Sequence, residues 1–511
     1  MAGSFVRNSL VNAFAGACVT AGGFLSSVTV ARLLGVQGTG IVAYSAWVVT
    51  VAIVVADVGI PGTLARFLPE VRAREGNGAA AGLTRMLLHP FLLSTAGIGA
   101  VFFGYAIGLF WFHSLPNPWS VLPESFQGSP LFWGLIALSC TTQSLASFAS
   151  GFLQGMQRFD QFARLALLGS VVQIGATAAG ALTFGPGGAL AAAALGALIP
   201  ASALLSADTE GFVVPTGLRR RVVRYTLEAW GGYIVSAFFA SRMEVFFLER
   251  SWGSHAVGLF TVSLTLSNLA TQGPMLLTGA LVPQLSYHLG RGEDEIAREL
   301  YPTSLRLMAL IVFPACLGTA AIAPALLPAI YGASFAEAVP SATILVAGAA
   351  LIAGSSIASA YVYAAERTRF NLLLGIGGAV LSVVVGFTAI PLFGPVAAAC
   401  GRIAIQTAIA GATLFYVYRK LGCRVPMRDM GGIALAALLC ALTARLIVIF
   451  EPSVPGMLAA IAAGAIIYIV ALRFLSPLPA RDVERLRSAL AALPPRLRPA
   501  ARMGLLFILR A

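Results

Sequence analysis

Long apolar runs recur along the whole chain with short polar breaks between them. Most approach the roughly 20 residues that a helix needs to cross bilayer hydrocarbon. That length predicts fourteen helices, at about 9–31, 40–66, 86–110, 131–155, 162–183, 187–206, 229–249, 256–283, 304–330, 338–364, 370–391, 394–418, 429–449 and 456–474. Gly and Pro mark the tight connections, as in Gly185-Pro186-Gly187-Gly188 and Pro391-Leu392-Phe393-Gly394-Pro395. The expected fold class is all-α, a polytopic membrane protein.

The basic residues give the runs a direction. All but five of the 33 fall in every second gap. Arg7 precedes the first run; Arg66, Arg72, Arg74 and Arg85 follow the second; Arg158 and Arg164 follow the fourth; and Arg219, Arg220, Arg221 and Arg224 follow the sixth. Basic loops resist translocation and stay cytoplasmic, so both termini are expected inside. Arg32, Arg242, Arg250, Arg402 and Arg445 break the pattern and become the first places to look for function.

Composition agrees with the pattern. Of 511 residues, 58% are hydrophobic and 10% charged, at a mean hydropathy of +0.87. A soluble domain carries about 25% charged residues. The net charge of +13 sits in short loops between spans, where it sets topology and does not call for nucleic acid. Five of six cysteines lie in apolar runs and Cys423 in a basic loop, without metal-ligand spacing, so they read as small buried hydrophobes. The first run follows Arg7 with no small-residue cleavage site, which predicts a retained membrane helix.

The chain repeats itself. Arg32-Leu33-Leu34-Gly35 is followed by Gly40-Ile41, and Arg250-Ser251-Trp252-Gly253 is followed at the same spacing by Gly258-Leu259. Gln157-Arg158 and Glu366-Arg367 echo each other after the fourth and tenth helices. Two copies of a six-helix unit are therefore expected, an N-terminal lobe at 1–206 and a C-terminal lobe at 229–418, joined by a basic cytoplasmic linker at 207–228. Six is even, so both copies insert the same way, the parallel kind of transporter repeat, which suits alternating access. Two further helices occupy 429–474, and 475–511 forms an amphipathic basic tail suited to the cytoplasmic leaflet.

Ala31-Arg32-Leu33-Leu34-Gly35, Gly40, Asp57-Val58-Gly59-Ile60 and Arg66-Phe67-Leu68 resemble the opening of the polysaccharide-type (Wzx-like) flippases. That family shares its superfamily with the MATE antiporters and the peptidoglycan-precursor flippases. The resemblance implies two six-helix lobes, two extra helices, and movement of a lipid-linked, pyrophosphate-bearing oligosaccharide to the outer leaflet for surface polysaccharide such as lipopolysaccharide. Partners would be that substrate, membrane lipids and polysaccharide-synthesis proteins, with H⁺ or Na⁺ as candidate coupling ions. Cofactors are not expected, nor is nucleic acid.

Charges inside spans are costly and mark function or a structural partner. Arg242 and Arg402 are the candidates for holding pyrophosphate, because a guanidinium binds two phosphate oxygens in a planar fork. Arg66 and Arg32 complete the substrate-binding set, although headgroup anchoring explains Arg32 equally. Asp57 and Glu244 are candidates for ion coupling or gating. Nine residues separate Asp57 from Arg66, about 13 Å along a helix, so a direct pair is not expected. Arg242 and Glu244 lie about 200° apart around their helix and do not neutralise each other. Gln143, Gln154, Gln173, Asn268, Gln272 and Gln406 could bind sugar hydroxyls or bond between helices. His89, His113, His255 and His288 form no ligand set, and no nucleophile elbow, phosphate loop or carboxylate pair is present in the sequence. The chain therefore reads as a transporter and not an enzyme. The alternative is a MATE-like H⁺- or Na⁺-coupled antiporter of drugs or metabolites, which would favour an acidic site.

Overall fold

A backbone inside hydrocarbon must satisfy its own hydrogen bonds, and a helix does so locally. The computed structural model describes residues 2–112, 129–206, 216–235, 243–291, 293–364, 368–475 and 479, and these are helical almost throughout. The helices are α1 (Ala2–Asp57), α2 (Ile60–Glu75), α3 (Asn77–Phe112), α4 (Pro130–Gly155), α5 (Phe159–Ala201), α6 (Thr216–Val235) and α7 (Met243–Gly290). They continue with α8 (Asp294–Tyr331), α9 (Val339–Ala364), α10 (Thr368–Thr388), α11 (Ile390–Leu421), α12 (Met427–Phe450) and α13 (Val454–Leu475).

Four of these helices are each broken by one glycine. Gly35 in α1 has φ 65° and ψ −167°, and Gly253 in α7 has φ 73° and ψ −177°. Gly185 in α5 and Gly394 in α11 share φ 59°, with ψ −140° and −138°. Such angles are close to closed to residues with a Cβ. Among the described residues each of the fourteen expected segments is occupied by helix, the seventh only in part because 236–242 lie outside those residues. Ten stretches among the described residues are long and apolar enough to cross a membrane, and two of them, Cys18–Asp57 and Phe159–Ser206, each hold two expected spans. The protein is a multi-pass membrane protein.

Two local expectations change. The helix expected over 40–66 is interrupted, because Val58 (φ 49°) and Gly59 (φ 71°) are left-handed and α2 starts anew at Ile60. Pro61 favours that restart, since it supplies no backbone N–H and a first-turn N–H has no intrahelical partner. Residues 216–228, which the charge run assigned to a linker, form the first part of α6. Val222 and Thr226, four apart, are buried there while Arg219, Arg220, Arg221 and Arg224 stay outward. An amphipathic helix forms where hydropathy alone reads a polar break.

The chain forms two compact units, Met1–Thr261 with Ser382–Gly394, and Val262–Leu381 with Pro395–Ala511. In the first, α1 and α4 pack on α5, and a core of Leu64, Phe67, Leu68, Phe91, Phe148 and Phe152 joins α2, α3 and α4. Small residues allow close approach: a Cβ on Gly151 would lie 2.3 Å from the Pro61 carbonyl oxygen. In the second, α8 packs on α9, α12 and α13. Large apolar side chains also face outward, among them Leu131, Phe184 and Phe450, each at least 80% exposed. A water-facing surface would not carry so many, whereas lipid accepts them. Cys400 is among the outward residues and so departs from the buried role expected of it, because it projects from the outer face of α11.

Candidate functional site

Three polar arrangements stand out inside or beside the apolar spans. The first lies in the second unit. Arg402, on α11, lines a cavity of about 270 Å³ with Ser267, Asn268, Thr271, Ser355, Ser356 and Gln406, against apolar walls that include Met308 and Ile403. Small neighbours bring α11 close to other helices, with Ala397, Ala398 and Ala399 all buried. The result is one guanidinium among hydroxyls and amides, chemistry suited to an anion and to sugar hydroxyls together. Of the polar residues singled out in the sequence, Asn268 and Gln406 are brought to Arg402.

Asp57 anchors the second arrangement. It ends α1 at the helix break, and its two carboxylate oxygens accept hydrogen bonds from Ser144 and Ser147 of α4, the latter at 2.7 Å. Thr95 bonds Ser144 in turn. Arg66 takes a different partner from Asp57. It lies on α2, exposed, with Glu70 at 3.2 Å.

That pair belongs to the third arrangement, at the arginine-rich end where α2 meets α6. Glu70 accepts from Arg221 at 3.0 Å and lies 3.6 Å from Arg74. Arg66 and Arg221 both stack on the Phe67 ring, 5.4 and 5.2 Å from its centre. Tyr225 meets Phe67 edge-on at 5.2 Å. The hydrogen bond from Arg221, with the charges of Arg221, Arg74 and Arg66, holds the Glu70 carboxyl below its usual range. Beside it, Arg224 donates to Glu228 at 2.9 Å, which raises the already high pKa of its guanidinium.

The remaining sequence candidates are dispersed. Arg32 and Arg250 are both exposed, each three residues before its glycine break. Glu244 is buried in α7. Arg242, the loop at 113–128, the 481–511 tail, and the side chains of Arg7, Gln272 and Pro274 lie outside the described residues. Sequence reasoning passed over Glu70 and Glu249. Glu249 is half-buried near the end of the expected seventh span and accepts from Ser254 at 2.9 Å through one oxygen. Among the described residues no group of three His, Cys, Asp or Glu could hold a metal.

The fold resembles that of solved membrane proteins of the MOP superfamily. An inward-facing multidrug-resistance MATE family transporter aligns at a TM-score of 0.66 and 14% identity, over 79% of this chain and 94% of that one. The lipid II flippase MurJ in an inward closed conformation aligns at 0.65 and 13%, over 92% of this chain and 96% of that one. A MOP superfamily transporter from Pyrococcus furiosus, described by the reverse polarity of its binding pocket, aligns at 0.59 and 14%, over 82% and 95%. Residues 128–340 match the family model described as "Polysaccharide biosynthesis protein". No curated protein sequence matches the chain. The structural likeness shows a shared fold, and the family model covers residues 128–340 of the 511.

Proposed function

We propose that this protein moves a lipid-linked oligosaccharide bearing pyrophosphate from the cytoplasmic to the outer leaflet of the inner membrane, for surface polysaccharide synthesis. The observation that carries this reading is the cavity in which Arg402 stands among Ser267, Asn268, Thr271 and Gln406. A permanent cation there suits the pyrophosphate, and the surrounding hydroxyls and amides suit a sugar. Arg242, Arg66 and Arg32 are the further substrate-binding residues in this scheme, and Asp57 and Glu244 act in coupling or gating. The expected lobes, 1–206 and 229–418, would move in alternating access. Both termini lie in the cytoplasm, on the side of the arginine-rich connections.

Transport of this kind needs no bond-making step. The cell interior is negative, so moving an anion outward is downhill by about 2.3 kcal/mol per charge per 100 mV, or roughly 4–5 kcal/mol for two charges. Removing the gene from its host and measuring lipid-linked oligosaccharides by mass spectrometry tests the proposal. Intermediates should accumulate while surface glycan falls. Unchanged glycans with altered sensitivity to cationic compounds would instead support the H⁺- or Na⁺-coupled antiporter, a reading favoured by the carboxylate of Asp57 seated between two serines.

A further inference from the structure

Four arginines gather around one opening at the α2–α6 junction. A cavity of about 670 Å³ is lined there by Arg66, Arg220, Arg221 and Arg224, together with Phe67, Tyr225 and Glu228. Arg66 and Arg221 are also the two guanidiniums that share the Phe67 ring and bond Glu70. We propose that this opening docks a phosphate-bearing anion, best matched by a diphosphate headgroup, and that Glu70 is the built-in competitor the anion displaces.

Guanidinium forks engage phosphate oxygens with the same geometry they use for carboxylates. The arginines that hold Glu70 are 53%, 74% and 52% exposed at Arg66, Arg74 and Arg221, and the Glu70 side chain is 17% exposed. Pairs open to water on the arginine side are weak, so an anion with more oxygens and more charge can replace the carboxylate. The Phe67 ring keeps both forks in place during the exchange. The charge has the right sign. The four lining arginines and Arg74, set against Glu228 and Glu70, leave a surplus of three. A diphosphate headgroup carries about two negative charges, on the scale of a fully ionised phosphate ester.

The site is tied to the helix break. Thr226 of α6 bonds Thr63 of α2 at 3.0 Å, and Trp230 donates to the Val54 carbonyl of α1 at 2.9 Å. A Cβ on Gly59 would lie 2.9 Å from the Thr226 carbonyl oxygen. Helix α6 thus straps both sides of the break at Val58 and Gly59, and Arg66 lies about 9 Å beyond Ile60 along α2. An anion bound between α2 and α6 bears directly on that hinge. As a loading position for a transported headgroup the site rests on the transport reading above; as an anion site it does not.

The test is calorimetric titration of inorganic pyrophosphate into the full-length protein in phosphatidylcholine nanodiscs. Saturable binding is expected. Arg66→Gln with Arg221→Gln should weaken it roughly tenfold or more, and Arg220→Gln with Arg224→Gln should weaken it severalfold should the first pair fail to fold. Glu70→Gln should tighten binding severalfold, because the competing charge is gone; a purely structural role for Glu70 would weaken it. Binding indifferent to both arginine pairs, or weakened by Glu70→Gln, overturns the proposal. Repeating the titration in phosphatidylglycerol nanodiscs separates the sources. Unchanged affinity keeps the diphosphate headgroup, whereas blocked binding gives the site to bulk anionic lipid and removes the diphosphate match. Pyrophosphate binding without any glycan change on gene loss would keep this site and remove the transport reading.

Discussion

Gly40 and Gly258 pack against each other's segments reciprocally. A Cβ on Gly40 would lie 1.7 Å from the Ser254 carbonyl oxygen, and a Cβ on Gly258 would lie 2.1 Å from that of Val36. Residues 36 and 40 thus meet residues 254 and 258, each with the same offset. This is the contact a local twofold makes between repeated segments. It gives physical content to the spacing of Gly35 and Gly40 and of Gly253 and Gly258. The obstructing atoms are backbone, so no side chain can turn away. Gly40→Ala and Gly258→Ala should each destabilise by about 2–3 kcal/mol or more, and by similar amounts. Gly35→Ala meets open space and should lose only the backbone term, at the low end of about 1–3 kcal/mol and less than Gly40→Ala. Thermal unfolding of the detergent-solubilised variants ranks them, and equal losses at Gly35 and Gly40 would refute the packing argument.

The spans were legible because hydrocarbon demands length and apolarity, which a single pass along the chain displays. The break at Val58 and Gly59 was legible in principle, since Gly59-Ile60-Pro61 carries the mark of a helix ending and another starting. The strong apolar run around it hid that mark. Helix α6 was obscured differently. Its arginines lower local hydropathy, and only the four-residue step from Val222 to Thr226 shows a buried face. Arg402 could be singled out as an isolated charge, but its cavity partners Asn268 and Ser355 come from distant helices. Glu70 could not be assigned a role at all, because Arg221 lies 151 residues away.

Acid should loosen the junction of α2 and α6. The Glu70 carboxyl has its pKa lowered by Arg221, Arg74 and Arg66, so its contribution is present above the ordinary glutamate range and lost as pH falls through the depressed value. Hydrogen exchange across residues 216–235, corrected for intrinsic rates, should show falling protection on acidification in the wild type. Glu70→Gln should start less protected and respond less. Identical pH profiles in both proteins would exclude Glu70 as the cause.

Asp57 and its serines should behave as one unit. Both carboxylate oxygens accept hydroxyl hydrogen bonds from α4, so Ser144→Ala with Ser147→Ala strips both from a buried group. A loss of about 2–4 kcal/mol is expected. Asp57→Ala in that background should cost less than in the wild type, with a coupling of about 1–3 kcal/mol. Additive losses in a double-mutant cycle would mean that the serines do not hold the aspartate.

Helix α12 is tied to α8 by charge. Arg306 donates to Asp429 at 3.1 Å, with the two side chains 11% and 26% exposed. Tyr468 of α13 adds a bond to the Leu310 carbonyl at 2.8 Å. Removing one charge leaves the other poorly solvated, so Arg306→Met or Asp429→Asn alone should cost about 2–3 kcal/mol, toward the lower side of buried pairs because water still reaches Asp429. Making both changes should recover part of that loss. A double variant as unstable as the sum of the singles would show that the pair is not what anchors α12.

Arg402 should be the least replaceable of the cavity residues. Lys keeps the charge but offers a point cation, whereas the guanidinium spans two oxygens of a phosphate at once. Complementation of a gene-deleted host should therefore fall steeply with Arg402→Ala, on the order of 100-fold for a lost charge-assisted contact, and recover only in part with Arg402→Lys. Asn268→Ala and Gln406→Ala, which would each remove a neutral hydrogen bond, should fall by roughly tenfold or less. The comparison is made at matched membrane expression, so that folding defects do not enter. If Lys restored full surface glycan, the cavity would need only positive charge, and the planar grip on pyrophosphate would have to be abandoned. If Ala restored it, the cavity would lose its claim to the substrate, and the binding role would pass to Arg242, Arg66 and Arg32.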